Sequence, residues 1–307
     1  MINGAYTLAS KKINLEIYLG KNKYNFKKLY SKTGIKYIFR SNNDENTFSL
    51  AIRAVNKLKK LLKHKIQNII FVSQSPISQI PSVGSLLQKK LNITKNTFNL
   101  DIIQGCSGFP YALVIASNLI ENKVIDNCLI ICSETYTKFI NKKNKVCFPI
   151  FSDGASAVFF NKKNIPRTLS TIFMTDGTGS KNLCLINKNK KKELFMNGSD
   201  VFSFTSHNVP LATNILLNKA NLKIKDIKLF IFHQASRIVL DTIKNKLKIP
   251  DKFFFNNIKN IGNTVSSTIP IALIDADKQK KLPRNEPVLI MGFGVGYSLS
   301  GGIFIFK

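Results

Sequence analysis

Cys106 is the residue of this sequence best placed to act as a nucleophile. It lies in GCSG, between Gly105 and Gly108. The preceding TFNLDIIQ alternates in hydropathy and predicts a strand, and the following FPYALVIASNLI is apolar nearly all round and predicts a buried helix. A thiol at such a turn is close to free backbone N–H groups and to the positive end of the helix dipole, which favour a thiolate. A small cysteine packed in the core is the alternative, and this stretch alone does not separate the two.

His233 is the second residue in a position suited to chemistry. It ends the apolar run LFIFHQ, and α/β proteins place their functional groups at the carboxyl ends of parallel strands. A hydrogen-bonded core histidine would fit the same position equally well. Of the other two histidines, His64 in LLKHKIQ is predicted to be solvated, and His207 is predicted to have a structural or surface role.

A repeat links Cys106 to a third residue, Asn263. Each half of the chain has a β-rich run, a helical segment, a short turn, a second strand, a glycine with one polar residue, and an apolar helix. The first copy starts at NIIFVSQS and the second at IKLFIFHQAS. Cys106 and Asn263 occupy corresponding places, each directly after a glycine at a strand-to-helix turn.

The alternation of strands and helices predicts parallel sheets with crossover connections. Two such halves predict a layered α/β/α/β/α domain with a pseudo-two-fold axis. The N-termini of the two buried helices would then face each other across a shared pocket. A chain of 307 residues with 44% hydrophobic content is long enough to bury such cores.

Cysteine usage and hydropathy suggest the setting in which the protein works. The five cysteines form no CxxC pair, no histidine lies at metal-ligand spacing from them, and five is an odd number for a disulfide framework. We therefore expect no metal site and a reducing, cytoplasmic setting. The N-terminal MINGAYTLASKKINLEIYLG has no continuous apolar stretch, so no secretory signal is predicted. No apolar run reaches the ~20 residues of a membrane span.

The formal net charge of +29 comes almost entirely from lysine. An acidic partner, such as nucleic acid, an anionic membrane or an acidic carrier protein, is one explanation. Compositional drift is the other, because Lys, Asn and Ile are abundant throughout and the longest basic run, NKNKKKEL, is typical of a loop or a solvated hairpin turn. No nucleic-acid-binding motif accompanies the charge, so we predict no nucleic-acid partner and no membrane association.

Five segments stand out by their order and spacing: GCSGFPYAL, FSDGASAVFF, FHQAS, NIGNTVSS and the terminal GFGVGYSLSGGIF. Together they resemble the β-ketoacyl-acyl-carrier-protein synthase III family of the thiolase-like superfamily, over almost the whole chain. The resemblance implies a thiolase-like five-layered α/β/α/β/α fold made of two duplicated halves. Residues 1–163 would form the half with the nucleophilic cysteine, and residues 164–307 the half with the histidine and asparagine.

The resemblance also implies a catalytic triad of Cys106, His233 and Asn263. Cys106 would attack an acyl thioester and hold the acyl group covalently, which splits the transfer into two easier steps. His233 and Asn263 would donate hydrogen bonds to the thioester carbonyl of a malonyl group and stabilise the enolate that forms as carbon dioxide leaves. The backbone N–H groups of Cys106 and Val295 would form the oxyanion hole. No metal or redox cofactor is implied.

The family's substrate channel corresponds to further residues of this chain. Gly198 and Ser236 match positions along the channel for the pantetheine arm of coenzyme A or of the acyl carrier protein. Lys32 and Lys145 fall where the family has phosphate-binding arginines, and a lysine lacks the planar fork of arginine. Arg237, directly after HQAS, is predicted to meet phosphates or an acidic carrier protein.

Two departures from the family bear on the substrate. The chain has no Trp, and Lys28 falls near the place of the tryptophan that stacks on the adenine of acyl-coenzyme A in the family. Coenzyme A is therefore expected to bind less tightly, and the acyl primer could arrive on a carrier protein. Ile80 lies where a residue of the partner subunit closes the acyl pocket, which implies a homodimer and leaves the chain length of the primer open.

Three functions compete at this point. The first is a synthase III-like enzyme that condenses an acyl primer with malonyl on acyl carrier protein. The second is an acyltransferase of the same fold that moves an acyl group to a sugar, amine or hydroxyl without decarboxylation. The third is a non-catalytic basic binding module or an inactive partner subunit, which the presence of Cys106 disfavours.

Overall fold

Two β-sheets, separated and flanked by helices, form the frame of the molecule. The computed structural model describes residues 2–21, 26–188 and 191–307. The strands in chain order are β1 (Gly4–Leu8), β2 (Lys11–Asn14), β3 (Tyr37–Arg40), β4 (Ile69–Val72), β5 (Asn99–Ile102), β6 (Asn127–Glu134), β7 (Gly154–Asn161), β8 (Arg167–Thr175), β9 (Leu183–Lys188), β10 (Lys191–Met196), β11 (Leu229–Phe232), β12 (Pro287–Gly294) and β13 (Ser298–Ile305). The helices are α1 (Leu15–Lys21), α2 (Phe26–Thr33), α3 (Thr47–Lys59), α4 (Val83–Lys90), α5 (Gly108–Glu121), α6 (Gly198–Lys219), α7 (Arg237–Lys246), α8 (Ile258–Ile261) and α9 (Thr268–Lys278).

Each main sheet is built from one part of the chain. The first sheet has the order β1-β7-β6-β4-β5, and the second has the order β11-β12-β13-β8. The strands of the first sheet end at Asn161, and those of the second begin at Arg167. The predicted boundary between residues 163 and 164 falls in the loop between them and stays a prediction.

Three hydrophobic clusters hold the layers together. Helices α5 and α9 lie between the two sheets, where Phe109 and Ile269 belong to one continuous cluster of buried side chains. Helices α3 and α4 cover the outer face of the first sheet, and α6 and α7 cover that of the second. The order helix, sheet, helix, sheet, helix confirms the predicted five-layered thiolase-like fold.

The central helix α5 forms where the sequence predicts it. Pro110 lies in its first turn, where a missing N–H costs no hydrogen bond. Phe109, Leu113 and Ala116 are fully buried between the sheets, as an all-apolar helix requires. This position brings the residues just before α5 to the centre of the molecule.

The second copy of the repeat departs from the first in one element. A strand was predicted in KIPDKFFFNNIKNI, but the structure has a 3₁₀ turn at Asp251–Phe253, one bridge from Phe254 to Phe230, and the short helix α8. The two asparagines explain the difference, because Asn256 Oδ1 accepts a hydrogen bond from Ile258 N at 3.0 Å and turns the chain into α8.

The basic run NKNKKKEL belongs to a two-stranded hairpin. Its described residues end β9 and begin β10, which pair antiparallel, and residues 189–190 lie outside the described part of the chain. Across the described ranges, no helix is both long and apolar enough to cross a membrane.

Candidate active site

Cys106 lies in a 3₁₀ turn, Gly105–Ser107, that leads directly into α5. Gly105 has a φ of +51°, and a Cβ atom there would lie 2.1 Å from Gln74 Oε1, so the turn requires glycine. The other half of the chain fastens this turn. Ser298 Oγ lies 2.6 Å from Ser107 Oγ, and Ser300 Oγ donates a hydrogen bond to the Ser107 carbonyl at 2.5 Å.

The Cys106 thiol is 5% exposed. Burial, and secondly the charge of Glu134, raise the pKa of this thiol well above its ordinary value. Burial thus acts against the thiolate that the helix N-terminus was predicted to favour, and it stabilises the protonated thiol. Attack by Cys106 needs a neighbouring base to take the thiol proton.

His233 directly follows β11 and is buried, and burial lowers the pKa of its imidazole to about 3. The ring is therefore neutral near pH 7. Its Nδ1 lies 2.6 Å from Thr268 Oγ1, and that hydroxyl donates to the Val265 carbonyl at 3.0 Å. Because the hydroxyl has a single proton, it accepts from Nδ1–H, which leaves the lone pair on Nε2.

Asn263 is held at both its backbone and its side chain. Its N–H donates to the Ile150 carbonyl at 2.9 Å, and its carbonyl accepts from Ser152 N at 2.8 Å. The side-chain Oδ1 accepts from Val265 N at 2.9 Å. This bond fixes the orientation of the amide, so that Nδ2 lies 3.4 Å from His233 Nε2.

One cavity of about 530 Å³ brings the three predicted catalytic residues together. Cys106, His233 and Asn263 all line it, although they come from the ends of three different elements. The cavity lies where the turns before α5 and before α9 meet. This arrangement places a thiol, a neutral imidazole and an amide donor around a space large enough for a thioester.

Strand β12 closes the cavity beside the cysteine through two glycines. A Cβ atom at Gly294 would lie 2.9 Å from Cys106 Cβ and 3.2 Å from its Sγ, and one at Gly292 would lie 2.4 Å from the Cys106 carbonyl oxygen. Val295 follows this strand, is half-buried and lines the same cavity. Its predicted part in the oxyanion hole stays a prediction.

Four of the predicted substrate-binding residues line the cavity with the triad: Lys32, Lys145, Gly198 and Ser236. Arg237 is placed differently. Its guanidinium lies 4.5 Å from the centre of the Tyr30 ring, a distance typical of a cation–π contact.

Ile80 lies away from this cavity, and its side chain is 93% exposed. It is next to a second cavity of about 480 Å³, which Gln79 and Ser82 line. The two cavities share three lining residues: Tyr136, Leu183 and Val295. These three side chains form the wall between the cavities.

Sequence reasoning missed two residues of the site, Thr268 and Glu134. Thr268 gives no signal in the sequence, because a threonine in the first turn of a helix is ordinary. Glu134 gives one: it is an acid at the end of the apolar run NCLIICSE, and every residue of β6 is buried. Burial raises the pKa of Glu134 to about 7, although hydrogen bonds from Ser75 and Ser266 act in the opposite direction.

Comparison of the sequence with known proteins matches the chain to one family. Residues 100–177 match the family model for 3-oxoacyl-[acyl-carrier-protein] synthase III, and residues 217–305 match the model for its C-terminal part. The β-ketoacyl-[acyl-carrier-protein] synthase III of Porphyra purpurea is 30% identical over 90% of this chain and 89% of its own length. That of Clostridium perfringens strain SM101 is 32% identical over 87% of this chain and 86% of its own length.

Solved structures of the same family are also similar to this chain. A crystal structure of a 3-oxoacyl-(acyl-carrier-protein) synthase III is 30% identical and covers 99% of both chains with a TM-score of 0.91. The synthase III of Aquifex aeolicus is 26% identical and covers 99% of this chain and 98% of its own, also with a TM-score of 0.91. Because the Porphyra purpurea relative is 30% identical over 90% of this chain, the chain belongs to the β-ketoacyl-acyl-carrier-protein synthase III family.

Proposed function

We propose that this protein condenses an acyl primer, held on Cys106, with malonyl carried on acyl carrier protein, in the synthesis of fatty acids or related acyl chains. One observation carries the proposal: Cys106, His233 and Asn263 line the same cavity, with Cys106 and Asn263 at the turns before the two central helices and His233 at the end of β11. The nucleophile and the two groups that face a second thioester are thus supplied by opposite halves of one pocket.

In the first step, Cys106 Sγ attacks the carbonyl carbon of the acyl thioester. His233 Nε2 takes the thiol proton, and the attraction between the resulting imidazolium and thiolate offsets the cost of forming both charges in a buried site. The C–S bond to the carrier breaks, and the leaving thiolate takes the proton from His233. The products are acyl-Cys106 and a free carrier thiol.

In the second step, the C–C bond between the malonyl carboxylate and its methylene carbon breaks. Carbon dioxide leaves, and the electron pair passes into the thioester carbonyl to give an enolate. Asn263 Nδ2 donates to that oxygen. His233 Nε2 donates as well in the other neutral tautomer, which forms between the two steps when the ring releases its Nδ1 proton to solvent and takes up one at Nε2, while the Thr268 hydroxyl turns to donate to Nδ1.

The enolate carbon then attacks acyl-Cys106. The oxyanion of the tetrahedral intermediate would lie between the N–H groups of Cys106 and Val295. When the intermediate collapses, the new β-ketoacyl thioester stays on the carrier, and the Cys106 thiolate takes up one proton. The steps use no cofactor.

The proposed partners follow from the charge of the cavity. Lys32 and Lys145 line the cavity that also holds Cys106, and they would receive the phosphate of a phosphopantetheine arm. The net charge of +29 favours an acidic carrier protein. We also propose a homodimer in a cytoplasmic setting, with the primer arriving on coenzyme A or on a carrier protein.

A second candidate is transfer of the acyl group to a non-malonyl acceptor, such as a sugar, amine or hydroxyl. The chain has no Trp to stack on adenine and has lysines where the family has arginines, which points to an altered substrate. The first step on Cys106 would be the same.

The test is acyl loading followed by intact-protein mass spectrometry. Purified protein is incubated with acyl-coenzyme A and acyl-carrier donors of several lengths, then with malonyl-carrier protein. We expect an acyl mass on Cys106 that disappears in the second incubation, with one carbon dioxide released. Cys106→Ala should remove the adduct and the condensation. Cys184→Ala, which removes a more exposed free thiol, should keep both.

Other outcomes separate the candidates. A stable adduct that malonyl-carrier protein does not discharge would favour transfer to another acceptor. Condensation that survives in Cys106→Ala would overturn the proposal.

A further inference from the structure

We infer that Glu134 is a positioning residue: it anchors the turn at Val265 that orients the Asn263 amide toward the second substrate. The inference deepens the proposed function and rests on it. Glu134 lies at the end of β6, in the first half of the chain, whereas Asn263 and Val265 belong to the second half.

The Glu134 carboxylate is fully buried and accepts hydrogen bonds from several directions. Ser75 Oγ donates to its Oε2 at 2.5 Å, and the Gln74 N–H lies 3.1 and 3.2 Å from its two oxygens. Ser266 Oγ donates to its Oε1 at 2.7 Å. A buried carboxylate with this many donors is fixed in position, and whatever it holds is fixed with it.

Through Ser266, Glu134 holds a strained turn at Val265. Val265 has a φ of +54°, in the left-handed region that a β-branched residue strongly disfavours, and its side chain is fully buried. Such a conformation persists only where the surrounding structure imposes it. Ser266, the next residue, is the one whose hydroxyl is bound to Glu134.

The strained turn has a direct effect on Asn263. With Val265 in the left-handed conformation, its N–H donates to Asn263 Oδ1 at 2.9 Å. That bond determines which end of the amide faces the cavity: the oxygen is occupied, and Nδ2 is presented beside His233. The buried helix α9 fixes the chain after Val265, and backbone hydrogen bonds fix Asn263 before it. If Val265 relaxed to a negative φ, the peptide between Thr264 and Val265 would have to reorient between these two fixed points. Its N–H would then move away from Asn263 Oδ1, and the amide would lose its fixed orientation.

The two half-reactions should therefore respond differently when the anchor is lost. Acylation of Cys106 depends on Cys106, His233 and the oxyanion hole. Decarboxylation of malonyl depends on the orientation of Asn263 as well. A residue with a merely structural role would affect both half-reactions together.

The experiment removes the hydrogen bond between Ser266 and Glu134 by changing each partner in turn. Ser266→Ala deletes the hydroxyl and keeps the carboxylate, and Glu134→Ala does the reverse. Each should lower the rate of carbon dioxide release from malonyl-carrier protein about tenfold or more, since misplacing a donor by an ångström costs up to about a hundredfold. The rate of Cys106 acylation should change less than about threefold. The double variant should be no slower than the slower single variant, because both remove the same link.

Ser170→Ala is the matched control. It also removes a buried hydroxyl with one donated bond, from Ser170 Oγ to the Leu216 carbonyl at 2.9 Å, and it lies on β8 away from the cavity. Both half-reactions should keep their wild-type rates in this variant. If Glu134→Ala does not fold, Ser266→Ala and its control carry the test alone.

A rescue experiment addresses the strain itself. Glycine adopts a positive φ without cost, so Val265→Gly combined with Ser266→Ala should recover most of the lost decarboxylation. The inference is overturned if Ser266→Ala leaves carbon dioxide release unchanged, if it slows both half-reactions equally, or if Val265→Gly restores nothing.

A crystal structure of the Ser266→Ala variant makes the test independent of the proposed function. If the wild-type protein releases no carbon dioxide from malonyl-carrier protein, the proposed function fails, and the structure alone then decides the inference. A Val265 φ that turns negative with a displaced Asn263 amide supports the anchor. An unchanged turn overturns it.

Discussion

At the scale of single residues, burial decides which protons are available for chemistry. His233 and Cys106 are both buried, so the imidazole stays neutral and the thiol keeps its proton. The Thr268 hydroxyl then sets the tautomer, because it can donate to the Val265 carbonyl or to Nδ1 but not to both. In the proposed mechanism, His233 acts as a base with its proton on Nδ1 and as a donor with its proton on Nε2, and the Thr268 hydroxyl can pair with Nδ1 in both tautomers.

Burial of His233 makes a prediction for stability against pH. Its pKa is lowered to about 3 in the folded protein and lies near 6.5 when unfolded. Stability is therefore fully present above pH 6.5 and is lost as the pH falls, because only the unfolded state takes up the proton. Between pH 7 and pH 5 we expect a loss of about 2 kcal/mol from this residue.

Urea unfolding of the wild type and of His233→Gln at both pH values measures this loss. Glu134, with its pKa raised to about 7, titrates in the same range but is present in both proteins, so it cancels in the difference. The wild type should lose about 2 kcal/mol more than the variant between pH 7 and pH 5. Equal losses in both proteins would contradict the prediction.

The sequence allows the three proposed catalytic residues, which line one cavity, to be predicted, but it does not allow their protonation states to be predicted. The repeat places Cys106 and Asn263 at equivalent turns. His233 is found because it ends an apolar strand, where α/β proteins place functional groups. The raised pKa of Cys106 comes from the depth at which both halves bury it, and no local pattern contains that depth. Glu134 and Ser266 are 132 residues apart, so their contact is equally invisible in the sequence.

At the scale of elements, the site depends on how closely β12 approaches the turn before α5. Glycines at 292 and 294 allow the strand to lie against the backbone of Cys106, and Phe293 between them meets the His233 ring edge-on at 5.5 Å. One strand therefore contacts both Cys106 and His233, the proposed nucleophile and base.

A methyl group on this strand should disable the nucleophile. In Gly294→Ala the new Cβ would lie 2.9 Å from Cys106 Cβ, so the cysteine or the strand must move. We expect condensation to fall on the order of a hundredfold and stability to fall by about 1–3 kcal/mol. Steady-state kinetics and thermal unfolding measure the two effects.

Gly177→Ala is the control for this variant, since a Cβ there would have no atom within 4 Å and its φ is not positive. It should behave as the wild type. Full activity in Gly294→Ala would show that the close approach is not needed.

The sequence predicts an element well where a single hydropathy pattern runs through the whole segment. The all-apolar run that forms α5 allows only a buried helix, and its observed range differs from the prediction by a residue at each end. The segment before α8 has a mixed signal, with three phenylalanines followed by two asparagines. Hydrogen bonds of the asparagines decide it: the Asn257 backbone N–H donates to the Gln234 side chain, and the Asn257 amide donates to Asp275.

At the scale of the whole molecule, an open edge of the first sheet is where we expect the proposed homodimer to form. Among the described residues, strand β5 is the last in that sheet and pairs with β4 alone, so its outer edge has backbone groups available for another strand. Beside it, Ile103 is 70% exposed and Ile80 is 93% exposed. Exposed apolar side chains next to a sheet edge are typical of an interface between subunits.

A charge on that surface should therefore separate the subunits. We expect the wild type to sediment as a dimer and Ile80→Lys to sediment as a monomer at micromolar concentration. Leu61→Lys places the same charge on another apolar residue, 71% exposed just beyond α3, and should stay dimeric. Sedimentation velocity distinguishes the two variants, and a monomeric wild type would remove the proposed dimer.

The contacts between the two halves also restrict which substitutions the protein can accept. Ser107 meets Ser298, Ser152 holds Asn263, and Glu134 holds Ser266, so each reactive turn is fastened to residues of the other copy. A recombinant gene that joins the first half of this chain to the second half of a relative with other residues at these positions would keep the Cys106 turn but lose its contacts with the second half. We therefore expect the two halves to tolerate substitutions at these contacts only in matched pairs, one on each side.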